Sequence, residues 1–296
     1  MSHSSYLRAA RRASHRGLRI LTVSLLGSAA ALGLALTIEA CGSGETSGDR
    51  VALDTRVELE PNAQAFTTAM GWDVTLSRVL ISTGPFYYFD GAPPLVQREP
   101  EHRWPARPAR STAWPSSLEA LGLSSALAHP GHYEAGDALG QMLSPWSIDL
   151  LAGPADLPVG DGVTGVYRSA SFSFTSPPEG PLAGAMESQA AIAEGIASRQ
   201  GGDPVHFVAM ADLADVERSA ANGYVDGCEF EELDIERAGR VTVRVNPKIW
   251  FDLVDFGELA PAGDAAVPFG DDSQPKIAFA LGLAQLSAYK FSFSVP

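Results

Sequence analysis

The sequence predicts a mainly β fold, a single antiparallel β-sandwich or barrel-like domain with few short helices over residues 50–296. Three observations predict it. Apolar and polar residues alternate through several separate runs, the period-two signature of half-buried strands. Turn formers punctuate those runs, with 29 Gly and 21 Pro in 296 residues. Stretches with helical character are few and short, and many short strands between turns fit a sandwich or barrel.

The first strand signal is Trp72–Ser77, with Trp72, Val74 and Leu76 on one face. Val79 and Ile81 continue it after a change of phase, and Pro85–Phe89 adds an aromatic run. Val166–Phe174 alternates until Pro177-Pro178, Val205–Met210 is a short apolar run, and Val241–Val245 alternates again. Ile249-Trp250-Phe251 and Leu253-Val254 follow Pro247 and read as further strand. Met186–Ser198 scores as helix on propensity but equally fits a strand containing Gly195. Leu118–Leu127 fits a short helix, and Lys276–Ser287 a helix leading into a terminal strand, Tyr289–Phe293. The segment 92–115 holds six prolines and four arginines and reads as an irregular surface loop. Trp72 and Trp250 sit in strand patterns and read as core, whereas Trp104 and Trp114 lie in that loop.

The N-terminus has the order of an export signal. Arg8, Arg11, Arg12, Arg16 and Arg19 precede nineteen uncharged residues, Ile20–Ile38, and then Glu39-Ala40-Cys41. The positive-inside bias keeps the basic end cytoplasmic. A stretch of that length as a helix covers about 28 Å, so an uncleaved membrane anchor is the alternative. Arg11-Arg12 is followed by residues that fit a twin-arginine signal poorly. Residues 1–40 are read as the signal, 41–49 as a Gly/Ser/Thr-rich tether, and 50–296 as the exported domain.

Charge narrows the partners. The signal contributes five positive charges and one negative, so the chain's −14 leaves the rest near −18. An acidic surface excludes nucleic acid, whose phosphates require Lys and Arg, and excludes an electrostatic grip on anionic lipid. It fits cation attraction or a basic partner protein. Of two cysteines, acylation of Cys41 leaves Cys228 without an intramolecular disulfide partner. Cys228 is then a buried thiol, an intermolecular link or a soft metal ligand.

The segment with most chemistry is Ala128–Met142. It carries His129 and His132 on either side of Pro130-Gly131, followed by Glu134, Asp137 and Met142. A Pro-Gly turn bends the chain tightly and lets two imidazoles converge on one ion. Imidazole suits copper or zinc, a thioether favours Cu(I), and carboxylates favour a harder ion. The alternative is a solvated turn with two exposed histidines. The expected metal ligands are His129, His132 and Met142, with Glu134, Asp137 and Cys228 as auxiliaries. In Asp226–Glu232, Cys228 and Phe230 share one strand face and Glu229 and Glu231 the other, which reads as a solvated acidic face. Its spacing matches no twelve-residue calcium loop. No nucleophile elbow, phosphate loop, dinucleotide fingerprint or H-E-x-x-H is present, so binding rather than catalysis is expected.

Ala40-Cys41, with Ile38 three before the cysteine, resembles a bacterial lipobox, although Glu39 stands where that pattern prefers a small or uncharged residue. The resemblance implies cleavage after Ala40, diacylglycerol on the Cys41 sulfur and a fatty acyl group, such as palmitate, on the new N-terminus. Gly42, rather than Asp, implies sorting to the periplasmic face of the outer membrane. Beyond the signal, the order of elements is similar to that of exported copper-binding partner proteins of the methanobactin type. The shared features are strands from Trp72, a His-bearing loop, Val241–Phe256 and the terminal pair Tyr289 and Phe291. That likeness implies metal binding in the service of uptake. The expected function is thus an envelope lipoprotein binding copper or zinc. Its partners would be the membrane, through its lipid, and an envelope protein. The rival readings are an interaction or structural lipoprotein with an acidic surface, and a carbohydrate-binding module using Trp104 and Trp114.

Overall fold

The computed structural model describes residues 48–94, 134–220, 223–260 and 263–295, all within the unit Glu45–Pro296. Cys41, His102, Trp104, Trp114, His129, His132 and the helix expected over 118–127 lie outside the described residues.

The protein is mainly β. Its strands are β1 Arg50–Leu59, β2 Ala65–Thr67, β3 Asp73–Phe89, β4 Ala138–Met142, β5 Trp146–Asp149, β6 Ala155–Asp156 and β7 Gly160–Val163. They continue as β8 Gly165–Phe174, β9 Gln189–Ser198, β10 Val205–Asp212, β11 Tyr224–Ile235, β12 Gly239–Val245, β13 Val267–Pro268 and β14 Tyr289–Ser294. The helices are α1 Ala183–Met186, α2 Leu213–Glu217, α3 Pro247–Phe251 and α4 Gln274–Leu283.

The pairing closes a ring. The order β3-β4-β7-β1-β12-β14-β11-β8 returns to β3 through the antiparallel β3–β8 pair, giving an eight-stranded barrel. The seventeen-residue β3 serves two sheets. Its second half lies in the ring between β4 and β8. Its first half pairs with β9, which carries β10 and β13 outward as an extension. The phase change read between Leu76 and Val79 is a bulge between Leu76 and Arg78. The fold is not wholly antiparallel, because β1–β12, β11–β14 and β10–β13 are parallel. Side-chain alternation carries no information about strand direction, so these pairs were invisible in the sequence.

An eight-stranded barrel leaves room for side chains and little else. Phe86, Tyr88, Tyr167, Phe172, Phe230, Tyr289 and Phe291 fill this one, all buried. Their rings meet edge-on or offset, as in Phe172–Tyr289 at 4.6 Å and Phe86–Phe172 at 5.3 Å. Burying each such ring contributes about 1.5–3 kcal/mol. Tyr88 shares a 2.8 Å hydrogen bond with Thr55, which satisfies both hydroxyls inside the lumen. β4 and β7 answer the large rings with glycine. A Cβ on Gly140 would meet Leu53 and Tyr88, and one on Gly162 would meet Leu53 and the Tyr167 hydroxyl, all within 3.1 Å.

Helices plug one end of the barrel. Ile249-Trp250-Phe251, expected as strand, is the body of α3. Asn246 accepts the Lys248 N–H at its start, and Pro247 occupies the first turn. Trp250 and Phe279 of α4 then join Phe207, Phe251, Phe256 and Phe269 in a second aromatic cluster. Trp250 lies 6.5 Å from Tyr289, whose hydroxyl donates to the Leu283 carbonyl at 2.7 Å and pins α4 to the barrel. Met186–Ser198 resolves into α1 and β9, with strand over Gln189–Ser198. Its small residues lie close against β3, and a Cβ on Gly195 would sit 2.4 Å from the Thr75 carbonyl oxygen.

Candidate functional site

The other end of the barrel is a charged rim, and one corner of it is built with particular care. β3 and β4 are an antiparallel pair, with Phe89 opposite Ala138. Residues 92–134, which carry His129 and His132, are inserted between them. Just above the pair, the Asp137 N–H donates to Asp90 Oδ1 at 2.7 Å and the Asp90 N–H to the Asp137 carbonyl at 3.2 Å. The Gly91 N–H donates to the Ala135 carbonyl at 2.9 Å. Gly136 adopts a φ of 75°, and a side chain there would collide with Asp90 Oδ1. Glycine is therefore required twice over, for the backbone angle and for the close approach.

β8 braces the same corner from the side. Arg168 Nη1 donates to the Asp90 carbonyl at 3.1 Å, and its Nε lies 3.4 Å from Glu232. Ser169 Oγ donates to the Gly91 carbonyl at 2.6 Å. The two ends of the inserted segment are thereby fixed side by side. Asp90, Glu134 and Asp137 stand at its foot in the chain, joined through the Asp90–Asp137 bonds, and Glu134 and Asp137 are exposed.

The remaining residues singled out from the sequence fall elsewhere. Met142 is 1% exposed, opposite Phe86, and packs in the lumen. Cys228 is wholly buried on β11, and its Sγ–H points to the Val225 carbonyl at 3.7 Å. Burial, reinforced by the neighbouring Asp226 charge, pushes its thiol well above the usual range. A thiolate is the form that attacks or ligates. A disulfide-exchange reagent should therefore leave Cys228 unmodified in the folded chain lacking residues 1–41 and label it after denaturation. Rapid labelling of the folded protein would contradict this burial. Glu229 and Glu231 point outward while Cys228 and Phe230 point inward. His206 is half-buried on β10 opposite Ile196. Trp72 and Trp250 are core residues, and the Arg199 guanidinium lies over the Trp72 ring at 5.8 Å.

Among the described residues, no three His, Cys, Asp or Glu side chains converge as a metal-binding group. No helix among them is long and apolar enough to cross a membrane. Sequence reasoning missed Asp90 and Arg168. Asp90 precedes Asp137 by 47 residues, and only the β3–β4 pairing brings them together. Compared with protein-family models, curated proteins and solved structures, the chain matches none.

Proposed function

We propose that this is a cell-envelope lipoprotein, held by a lipid on Cys41, that captures copper or zinc through His129 and His132. Glu134 and Asp137 are its carboxylate auxiliaries, and Asp90 stands beside them. The observation that supports this reading is the braced corner between β3 and β4, where Asp90 Oδ1 holds the Asp137 N–H at 2.7 Å. His132 is two residues from Glu134, so chain geometry keeps their Cα atoms within about 7 Å. Acidic side chains at this corner favour a cation. Met142 and Cys228 take no part, since both belong to the packed interior. The protein would capture the ion and hand it to an envelope partner, with no turnover.

The test is metal content and affinity of residues 42–296 with copper and zinc, under reducing and oxidising conditions. The expected result is stoichiometric binding that His129→Ala/His132→Ala abolishes. Absent binding, or binding indifferent to both histidines, would overturn the reading. A second reading, an interaction lipoprotein, is favoured by the exposed acids of β11: Asp226, Glu229, Glu231, Glu232 and Asp234. It predicts capture of a basic envelope protein that salt reverses.

A further inference from the structure

We infer that the β4–β7 junction is a lateral gate in the barrel wall, latched by the Tyr167 hydroxyl. The inference is independent of metal binding. Two junctions of the ring rest on only two residue pairs each. At β11–β14 the Phe230 and Phe291 rings stack across the joint at 6.2 Å and hold it by apolar contact. At β4–β7 the pairs are Gly140 with Gly162 and Gln141 with Asp161. The paired inward positions are glycines, covered by Leu53 of β1, and Met142 of β4 lies against Gly160 of β7, so no ring stack ties the two strands directly.

Tyr167 supplies the polar tie between the two strands. It is wholly buried, and its hydroxyl lies 2.9 Å from the Leu139 carbonyl of β4 and 2.7 Å from the Val163 carbonyl of β7. One phenolic proton serves two strands, so one carbonyl at a time lacks it. Burial pushes the phenol up to about 12, which keeps that proton in place at neutral pH. Outside the joint lies a groove of about 250 Å³ lined by Arg50, Leu139, Gly140, Gln141, Asp161 and Gly162. Water there offers the carbonyls another partner, so parting the strands leaves no group unsatisfied. β4 would stay with β3 through four pairs and β7 with β1 through four. The opening therefore exposes two strand edges while the rest of the ring stands.

Hydrogen exchange of the full chain in detergent, read by mass spectrometry, tests this. In Tyr167→Phe, peptides covering 138–142 and 160–163 should exchange about tenfold faster, as loss of one buried hydrogen bond implies. Peptides from β3–β9 and β1–β12 should keep their rates. Tyr88→Phe, which removes the lumen bond to Thr55, should leave the 138–142 and 160–163 peptides unchanged. A uniform acceleration, or none, would overturn the gate. If Tyr167→Phe does not fold, wild-type exchange in rising urea decides. A gate gives those peptides a low-energy opening nearly independent of urea, whereas exchange only with global unfolding overturns it.

Discussion

Replacing Gly282 with alanine is expected to cost the fold about 3 kcal/mol, at the severe end for a one-carbon change. Gly282 lies where α4 crosses α3 at backbone contact. An added Cβ would sit 2.5 Å from both Cα and the carbonyl oxygen of Trp250. Backbone atoms of a capped helix cannot rotate aside as a flexible side chain would. The helices must separate, yet Trp250, Phe251, Phe279 and Leu283 are packed on both sides of the crossing. Separation also displaces the Leu283 carbonyl that receives the Tyr289 hydroxyl. Alanine's better helix propensity returns at most about 1 kcal/mol. Gly184 is the control, since a Cβ there meets nothing within 4 Å. Gly184→Ala should leave the urea midpoint unchanged or slightly raised. A Gly282→Ala midpoint equal to wild type would contradict the close crossing.

Alkali should unfold the protein through its buried tyrosines. Burial raises the phenols of Tyr88, Tyr167 and Tyr289 above the ordinary value of 10.0, that of Tyr167 to about 12. The hydrogen bond from Thr55 opposes the shift at Tyr88 without cancelling it. Below about pH 10 both folded and unfolded chains keep these protons, and the full stability is present. Above it the unfolded chain releases protons that the native chain holds, so stability falls as pH rises. A rise of two pH units at Tyr167 corresponds to about 2.7 kcal/mol, lost progressively between about pH 10 and 12. Tyrosinate absorbance and far-ultraviolet circular dichroism followed together give the check. Part of the tyrosinate signal should appear only as the β signal disappears. Complete ionisation while the β signal persists would contradict the buried phenols.

The strands legible in the sequence were those whose inward faces carry large apolar residues. β3, β8, β10 and β12 announce themselves this way, and the slip after Leu76 was visible as a broken alternation. β4 and β7 were illegible for the opposite reason, because their inward positions include glycines that make room for Tyr88 and Tyr167. α3 was misread because Trp250 and Phe251 are both buried, as in a covered strand, while the deciding signal was the Asn246-Pro247 cap. Met186–Ser198 was ambiguous because alanine favours helix and only its packing against β3 makes it strand. The choice between sandwich and barrel hangs on one contact, β3 with β8, between segments some eighty residues apart. The site divides likewise. Glu134 and Asp137 stand beside the histidines in the chain, whereas Asp90 and Arg168 reach the corner only through the fold.

The order in which the ring closes has a consequence for how the chain is made. β1, around Thr55, finds its parallel partner in β12, around Val241, and β12 in turn pairs with the terminal β14. The first strand to emerge thus waits for nearly the last. Pairings of such long sequence separation slow folding, since loop-closure entropy is spent before the contact forms. Until then β1 offers an open edge to any neighbouring strand. A chain synthesised from its N-terminus must therefore be shielded until β12 has emerged, and truncation before β12 should yield an aggregate rather than a smaller barrel.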